Sequence, residues 1–299
     1  MTFLVAAPRA LTPLALVATA LALAFPSQAV AARSDLLLAA LVLVTALGIT
    51  AGELRDDLHR HRTSILTLSV VPLIVLSAAA WAIGRPFDEP VRDGLLAVGA
   101  SCSEVATVGL VTLAGADATV ALGAVAGSLV VSALLGPVAI GVLAGHAVHG
   151  GTGHLLARFA LVVIAPLVAG VAARSVTPGL RRWDGEREGI AALIVAALVY
   201  AALSSTKGAH HLVPALAAAL AFLLVSGLAG ELWRRTTPRP VATPGALSIT
   251  MRDFAVAAAF ASQAFGDGAG TVAGVYGVVM LLAGSAAAGL LARAHRGVS

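Results

Sequence analysis

The stretch LLAVGASCSEVATVGLVTLAGAD, residues 95–117, has the length of a membrane-crossing helix but carries a charge near its middle. Leu, Val and Ala fill both ends, whereas Gly99, Ser101, Ser103 and Glu104 stand in the centre. A spanning helix needs about 20 mainly apolar residues. Glycine and hydroxyl side chains are typical of a helix interrupted at membrane depth, where hydroxyls satisfy the freed backbone groups. The stretch therefore predicts a broken membrane helix that holds Glu104 inside the bilayer.

The rest of the chain has the same apolar character. Of its 299 residues, 59% are apolar and 11% are charged, whereas an average soluble domain has about 25% charged residues. So few charges cannot cover a water-facing surface of this size. The apolar runs do not alternate with polar residues as the strands of a membrane barrel do. The composition therefore predicts an all-α integral membrane protein with about ten transmembrane helices and no room for a soluble domain.

Ten apolar segments can be placed along the chain. They are Leu11–Val30, Asp35–Ala51, Ser64–Ile83, Leu95–Ala114, Ala118–Gly145, Leu155–Ala173, Gly189–Leu203, Leu212–Leu232, Ala246–Phe265 and Thr271–Arg293. Of the basic residues, thirteen then fall on one side and five on the other, with Arg252 left inside a segment. Because cytoplasmic connections carry the excess of positive charge, we predict a protein of the cytoplasmic membrane with both termini cytoplasmic. Arginines in short loops favour anionic membrane lipid, and not nucleic acid, as their partner.

The two halves of the chain resemble each other. Glu104-Val-Ala precedes Asp117 and Thr119-Val-Ala-Leu-Gly123, while Asp253-Phe-Ala precedes Asp267 and Thr271-Val-Ala-Gly274. Two copies of five segments must be inverted relative to each other, because five is an odd number. We therefore predict two inverted five-helix repeats, residues 1–150 and 151–299, an arrangement typical of secondary transporters.

Glu104, Arg252 and Asp253 are the charges that these segments place well inside the bilayer. Each costs a few kcal/mol there and marks a functional site by default. In one interpretation, the permanently protonated Arg252 forms a structural pair with an acid. In the favoured interpretation, the glycine and hydroxyl residues of Gly99–Ser103, before Glu104, and of Gly245–Thr250, before Arg252, indicate that both segments are interrupted at membrane depth, and the exposed helix ends bind an ion or a carboxylate. The two breaks would then bring the three charges together around a solute.

The fourth segment reads Val98-Gly-Ala-Ser-Cys-Ser-Glu-Val-Ala-Thr-Val108, then Leu113-Ala-Gly-Ala-Asp117, and the ninth reads Ser248-Ile-Thr-Met-Arg-Asp253. Both resemble the bile acid:sodium symporter family, within the wider group of bile acid, arsenite and riboflavin transporters. The resemblance implies broken, crossing fourth and ninth helices, and a solute cavity between a four-helix panel and a six-helix core. Substrate- or ion-binding residues are then expected at Ser103, Glu104, Thr107, Ser248, Met251, Arg252 and Asp253.

The resemblance weakens at the sodium ligands. Positions that supply oxygen ligands in sodium-coupled members hold Ser248, Arg252, Thr107, Val108, Ala121 and Val125 here. Most ligand oxygens are therefore absent, and a guanidinium would repel a sodium ion. Proton-coupled or uncoupled transport is favoured over sodium symport. Arg252 would act as a built-in cation or pair with an anionic substrate, or an acid would carry a proton.

The predicted function is secondary active transport, by alternating access, of a small organic anion or amphipathic acid, with H⁺ or Na⁺ as the candidate coupling ion. No enzyme activity, cofactor or metal site is predicted, because phosphate-binding loops, paired metal motifs and a nucleophile elbow are missing. One alternative is an arsenite-type efflux carrier that uses Cys102. Another is an intramembrane enzyme with Glu104 and Asp253 as paired acids, although Ala264-Phe-Gly-Asp267 departs from the Gly-x-Gly-Asp motif of membrane aspartyl proteases.

A weaker signal comes from histidines in two outer loops. His146, His149 and His154 lie in one loop, and His210 and His211 lie in the other. Grouped imidazoles can bind a divalent metal or sense pH. Solvated loop histidines are commoner, so this stays a secondary hypothesis.

Overall fold

The computed structural model describes residues 11–52, 61–145, 148–204, 212–266 and 268–296, and every named element in these ranges is helical. The N-terminal half holds α1 (Leu11–Ala24), α2 (Gln28–Ala31), α3 (Ser34–Ala46), α4 (Arg62–Gly84), α5 (Glu89–Ala100), α6 (Ala106–Leu113) and α7 (Ala118–Leu143). The C-terminal half holds α8 (Gly151–Phe159), α9 (Ala165–Val176), α10 (Asp184–Ser204), α11 (Leu212–Thr236), α12 (Arg239–Thr250), α13 (Phe254–Phe265) and α14 (Gly270–Arg296). A π-helical turn, Ala160–Ile164, joins α8 to α9, and a 3-10 turn, Pro178–Trp183, precedes α10.

Among the described residues, six helical stretches are long and apolar enough to cross a membrane. They are Arg62–Gly84, Ala118–Leu143, Gly151–Val176, Asp184–Ser204, Leu212–Thr236 and Gly270–Ala287. Shorter apolar helices cover Pro13–Ala24, Ser34–Ala46 and Phe254–Phe265. In α11, one face buries Ala215, Ala218 and Phe222 while the other exposes Leu216, Leu220, Leu224 and Leu228. A leucine stripe of this kind suits lipid and not water. The all-helical prediction is confirmed.

The first predicted segment, Leu11–Val30, is wrong as a single helix. α1 ends at Ala24, and Pro26 separates it from the single turn α2. Proline lacks the N–H that a continuing helix needs and disfavours the helical conformation of the residue before it. The second segment also ends early, at Ala46 and not at Ala51.

Two segments are interrupted near their middles. The fourth consists of α5 and α6, separated by residues 101–105, and the ninth consists of α12 and α13, separated by residues 251–253. Ser101 and Met251, which follow the first half-helix of each segment, have extended backbones. The breaks fall beside the glycine and hydroxyl residues that predicted them.

Corresponding helices of the two halves pack in the same way. α4 packs on α5 and α7, and α11 packs on α12 and α14. The contact of α4 with α7 is close because Gly123 and Gly127 of α7 face Ile65 and Ser69 of α4, where a Cβ atom would overlap. This is the close helix packing that small residues at this spacing permit in membranes.

The remaining long helices form a second packing group. α10 packs on α1 and α3, and α3 packs on α9. We call α1, α3, α8–α9 and α10 the panel, and we call α4–α7 with α11–α14 the core. A cavity lies between the panel and the core, beside the two helix breaks.

Candidate functional site

The two helix breaks are joined to each other by main-chain hydrogen bonds. Ser103 and Arg252 form an isolated antiparallel bridge. On either side of it, the Glu104 amide donates to the Met251 carbonyl at 3.0 Å, and the Asp253 amide donates to the Cys102 carbonyl at 2.8 Å. We call residues 101–105 and 251–253 the crossing. Each break thus supplies the partners that the other lacks, which a lipid surrounding requires.

Hydroxyl groups satisfy further backbone groups of the first break. The Ser103 hydroxyl donates to the Ser248 carbonyl at 2.8 Å. From α7, Ser132 donates to the Ala100 carbonyl at 2.7 Å, and Ser128 accepts from the Ser103 amide at 3.0 Å. Sequence reasoning foresaw hydroxyl partners but missed these two residues of α7. Their available signal was a pair of serines one turn apart in an otherwise apolar helix.

The second break is closed mainly by Tyr276 of α14. Its hydroxyl accepts from the Arg252 amide at 3.0 Å and donates to the Thr250 carbonyl at 3.1 Å. Ser226 of α11 also donates to the Thr250 carbonyl, at 3.2 Å. Tyr276 is fully buried, and its position in a different segment gave no local signal of this contact.

Both acids of the crossing lie at the starts of half-helices. Asp253 accepts through Oδ1 from the amides of Ala255 and Val256, at 2.8 and 2.9 Å. Glu104 accepts through Oε1 from the Ala106 amide at 3.4 Å. Carboxylates at these positions satisfy orphan amides and interact favourably with the positive helix end. Asp253 is the N-cap of α13, whereas Glu104 lies one residue before Val105, the N-cap of α6.

The guanidinium of Arg252 is buried without an ion pair. The residue is 1% exposed, and its Nε and Nη1 atoms have no hydrogen-bond partner. Within the described ranges, no carboxylate lies within 4 Å of it. The structural pair with Glu104 or Asp253, the first of our two interpretations, is therefore not formed. A buried charge without a partner is costly, so its retention needs a reason other than stability.

Three oxygen atoms beside the crossing also lack partners. They are Glu104 Oε2, Thr107 Oγ1 and Ser248 Oγ, each in a residue that is at most 1% exposed. Met251 is buried as well and contributes its carbonyl to the crossing. The structure thus brings the predicted residues of both breaks together, and it leaves polar capacity unused there.

The cavity between panel and core has an almost wholly apolar lining. α3 contributes Leu41, Val42, Thr45 and Ala46, Ile49 follows the end of α3, and Leu167 comes from α9; Val105, Val108, Leu122, Val125, Ala126 and Leu129 come from the core, with Asp253 as the charged residue. Arg252 does not line the cavity, so it does not face a solute there in this conformation. Val108 and Val125 stand at expected sodium-ligand positions and present only apolar walls.

In the part of the chain that the structure describes, two further buried charges lie outside the crossing. Asp93 of α5 is 2% exposed and pairs with Arg92 at 3.4 Å. Arg174 of α9 is 7% exposed and pairs with Asp184 at 2.9 Å. Sequence reasoning missed both, because each lies near a segment end where solvation is expected.

Outcomes for the weaker hypotheses differ. The ring Nδ1 and the amide of His149 both lie 3.0 Å from the Ala264 carbonyl. His146, His210 and His211 lie outside the described residues. Among the residues that are described, no group of three His, Cys, Asp or Glu side chains could hold a metal ion. The thiol of Cys102 is buried in the crossing, close to Arg252, Asp253 and Glu104.

Apolar spans, two broken helices joined at their breaks and buried charges at that junction define a multi-pass membrane transporter. The chain matches the SBF-like CPA transporter family over residues 10–236, and it belongs to that family. The resemblance to the bile acid:sodium symporter and arsenite transporter superfamily is thereby confirmed. The match ends before α12, so it includes the first break but not the second. No curated protein matches the chain.

Proposed function

We propose that this protein is a secondary active transporter that moves a small organic anion or amphipathic acid across the cytoplasmic membrane by alternating access. The observation that carries the proposal is the unpaired, buried Arg252 at the junction of two broken helices. Transporters bind solutes and ions near the membrane midplane, where interrupted helices expose their ends. A charge that destabilises such a junction is retained for function.

The proposed topology has ten spans in two inverted five-helix repeats, with both termini cytoplasmic. Six long helices, α1, α3 and the two broken segments supply the ten spans. The matching contacts of α4 with α5 and α7, and of α11 with α12 and α14, support the repeat. The core would rock against the panel, and the crossing would move with the core.

Arg252 takes the place of a coupling cation in this proposal. A guanidinium at the crossing supplies one positive charge that cannot leave, because arginine stays protonated in proteins. The apolar Val108 and Val125 leave few oxygen ligands for sodium. Sodium symport is therefore not expected.

Glu104 is the better proton carrier of the two acids. Asp253 Oδ1 is occupied by two helix amides, whereas Glu104 has a 3.4 Å contact and an unpartnered Oε2. The crossing holds one guanidinium and two carboxylates, so a single added proton makes it electrically neutral. Burying a neutral crossing in the apolar interior costs less free energy than burying a charged one.

The solute is proposed to place an apolar body against the walls of the cavity once the panel and the core move apart, because the cavity as described has room for little more than one water molecule. Leu41, Val42, Leu122 and Leu129 form walls that suit such a body. An acidic headgroup would reach Arg252 only after the crossing is uncovered. In the conformation described, Asp253 is the charged residue of the cavity wall.

Flux into proteoliposomes tests the function. We expect accumulation of a tritiated amphipathic carboxylic acid to follow an imposed pH gradient and to be unchanged when choline replaces sodium. The matched amide and amine serve as solutes of different charge. Strict sodium dependence would contradict the coupling proposal, and preferential transport of the amine would contradict the anionic substrate.

An arsenite-type efflux carrier is the second candidate, favoured by the position of the Cys102 thiol inside the crossing. Replacing Cys102 by Ala changes little volume. If the protein exports arsenite, the variant should lose arsenite tolerance in cells. Under the organic-solute proposal, the variant should transport the acid at an unchanged rate.

A further inference from the structure

One carboxylate ties the panel to the core at one end of the crevice between them. Asp35, in the first turn of α3, accepts from Arg158 Nε at 2.9 Å and from Arg158 Nη2 at 2.5 Å. Its other oxygen accepts from Gln263 Nε2 at 2.7 Å. Arg158 belongs to the panel, through the helix that continues into α9, whereas Gln263 lies in the last turn of α13 in the core. We call these three residues the latch.

An aromatic contact lies directly beneath the latch. Phe159 follows Arg158 in the chain, and Phe260 lies about one turn before Gln263 in α13. Their ring centroids are 3.9 Å apart, and both rings are fully buried. Gly136 of α7 approaches the Phe260 ring so closely that a Cβ atom would overlap with it. At this end, therefore, the Asp35–Gln263 hydrogen bond and the packing of Phe159 against Phe260 hold the panel in contact with the core.

The cavity lies toward the other end of the same crevice. Asp35 lies in the first turn of α3, whereas Thr45, Ala46 and Ile49 line the cavity near the end of α3 and beyond it. Asp35 and Ala46 are separated by about 16 Å along the helix at 1.5 Å per residue. In the proposed orientation, the latch faces the outside and the cavity faces the cytoplasm.

We propose that the latch is the outer gate of the transporter, and that its Asp35–Gln263 hydrogen bond breaks whenever the crevice opens to the outside. The inference rests on the proposed function. Arg158 positions the Asp35 carboxylate from within the panel, so that ion pair persists in both states. The Asp35 side chain is 24% exposed, so water can replace Gln263 as the partner of its second oxygen, and a partly solvated bond of this kind contributes little to stability.

The adjoining π-helical turn supports a moving element at this place. Ala160–Ile164 directly follows the aromatic contact. Such turns are rare inside helices and are often found at functional sites. The turn gives the panel helix a point at which its outer part can shift relative to α9.

The test measures access to the cavity from outside, and it needs no knowledge of the solute. A reporter cysteine replaces Leu129 in the cavity, in a Cys102→Ser background that has no other cysteine. A membrane-impermeant thiol reagent is applied to the outside of intact cells. Gln263→Leu removes the bond between panel and core. Ser262→Ala is the matched control, because the Ser262 hydroxyl donates only to Ala259 of its own helix.

Gln263→Leu should raise the rate of reporter labelling from outside about two- to fivefold, the population shift expected from losing one partly exposed bond. Asp35→Ala should do the same, while Ser262→Ala should leave the rate unchanged. Unchanged labelling in both latch variants would overturn the gate, and so would an equal increase in the control. If labelling rises in the latch variants but the parent protein, with Cys102 and Leu129 in place, carries no solute in proteoliposomes, the gate stands and the proposed function fails. If solute is carried while labelling is unchanged, the gate alone fails.

Discussion

Ser103 and Arg252 face each other across the crossing as an antiparallel pair, although 148 residues of chain lie between them. The pairing holds the Arg252 backbone in place through the flanking bonds of Met251 and Asp253. Its side chain, in contrast, gains no ion pair from either acid. Main-chain hydrogen bonds therefore hold the backbone of Arg252 in place, whereas no ion pair stabilises its charge. Variants can test these two features separately.

Replacing Arg252 by Met should stabilise the protein while abolishing transport. The guanidinium has no ion pair among the described residues, so an apolar side chain of similar length removes its desolvation penalty, on the order of several kcal/mol, at a smaller electrostatic cost to the two acids. Flux should fall at least about tenfold if the charge contributes only 1.4 kcal/mol to the transport barrier. Thermal unfolding in detergent and flux in proteoliposomes measure the two effects. A variant that is less stable and still active would show that Arg252 has a structural role.

Replacing Glu104 by Gln should uncouple transport from the pH gradient. The amide keeps the size of the side chain but cannot take up and release a proton at physiological pH. We expect the variant to exchange labelled for unlabelled solute but not to accumulate it against a gradient. Asp253→Asn is the control, because asparagine caps a helix as well as aspartate does. Loss of pH-driven accumulation in the Asp253 variant alone would assign the proton to the other acid.

Replacing Asp253 by Ala should destabilise the protein through α13. The change removes the acceptor of the Ala255 and Val256 amides. Loss of such a cap costs about 0.5 to 2 kcal/mol, and α13 should then exchange its first amide hydrogens faster. Hydrogen exchange with mass spectrometry measures this directly. Equal protection in the alanine and parent proteins would contradict the capping role.

Replacing each of the two tyrosines by phenylalanine tests the hydrogen bonds of Tyr276 at the second break, with Tyr200 as the control. Tyr276→Phe leaves the Arg252 amide without its acceptor, and a buried unsatisfied donor costs about 1 to 3 kcal/mol. Tyr200→Phe removes an exposed bond to the Phe25 carbonyl, where a change of less than about 0.5 kcal/mol is expected. Unfolding midpoints of the two variants in detergent give the comparison. Similar midpoints would mean that water or another group replaces the Tyr276 hydroxyl.

Two glycines should respond in opposite directions to alanine. A Cβ at Gly127 would overlap the Ser69 hydroxyl of α4, while a Cβ at Gly109 would meet nothing within 4 Å. Gly127→Ala should therefore cost about 1 to 3 kcal/mol through overpacking. Gly109→Ala should gain about 0.5 to 1 kcal/mol, because alanine is the better helix former. The same unfolding measurement checks both, and a destabilised Gly109 variant would contradict the open surroundings of α6.

The sequence carried enough information to predict both breaks and their charged residues. Glycines and hydroxyls beside Glu104 and Arg252 are unusual in apolar spans, and the cost of charge in lipid makes such residues conspicuous. The class of protein followed from these local signals. An interruption of a helix can be predicted in this way because it depends on residues that are adjacent in the chain.

The partners of these residues could not be predicted in the same way. Ser128, Ser132 and Tyr276 lie in other helices, and the packing that brings them to the crossing depends on the whole fold. For the same reason, the sequence could not show that Arg252 forms no ion pair. Its adjacency to Asp253 in the chain does not determine the direction of the guanidinium. The latch was missed because Asp35 and Gln263 look like ordinary solvated residues at segment ends.

The mutual bonding of the two breaks has a consequence for biogenesis. When the ribosome has delivered only the first 150 residues, the Glu104 amide and the Cys102 carbonyl have no partners, because Met251 and Asp253 have not been synthesised. Until the ninth segment has been inserted, water or the insertion machinery must therefore solvate these two backbone groups of the first half. Assembly of the crossing is thus a late event, and a chain that stops before α12 should be recognised by quality-control proteases as unfinished.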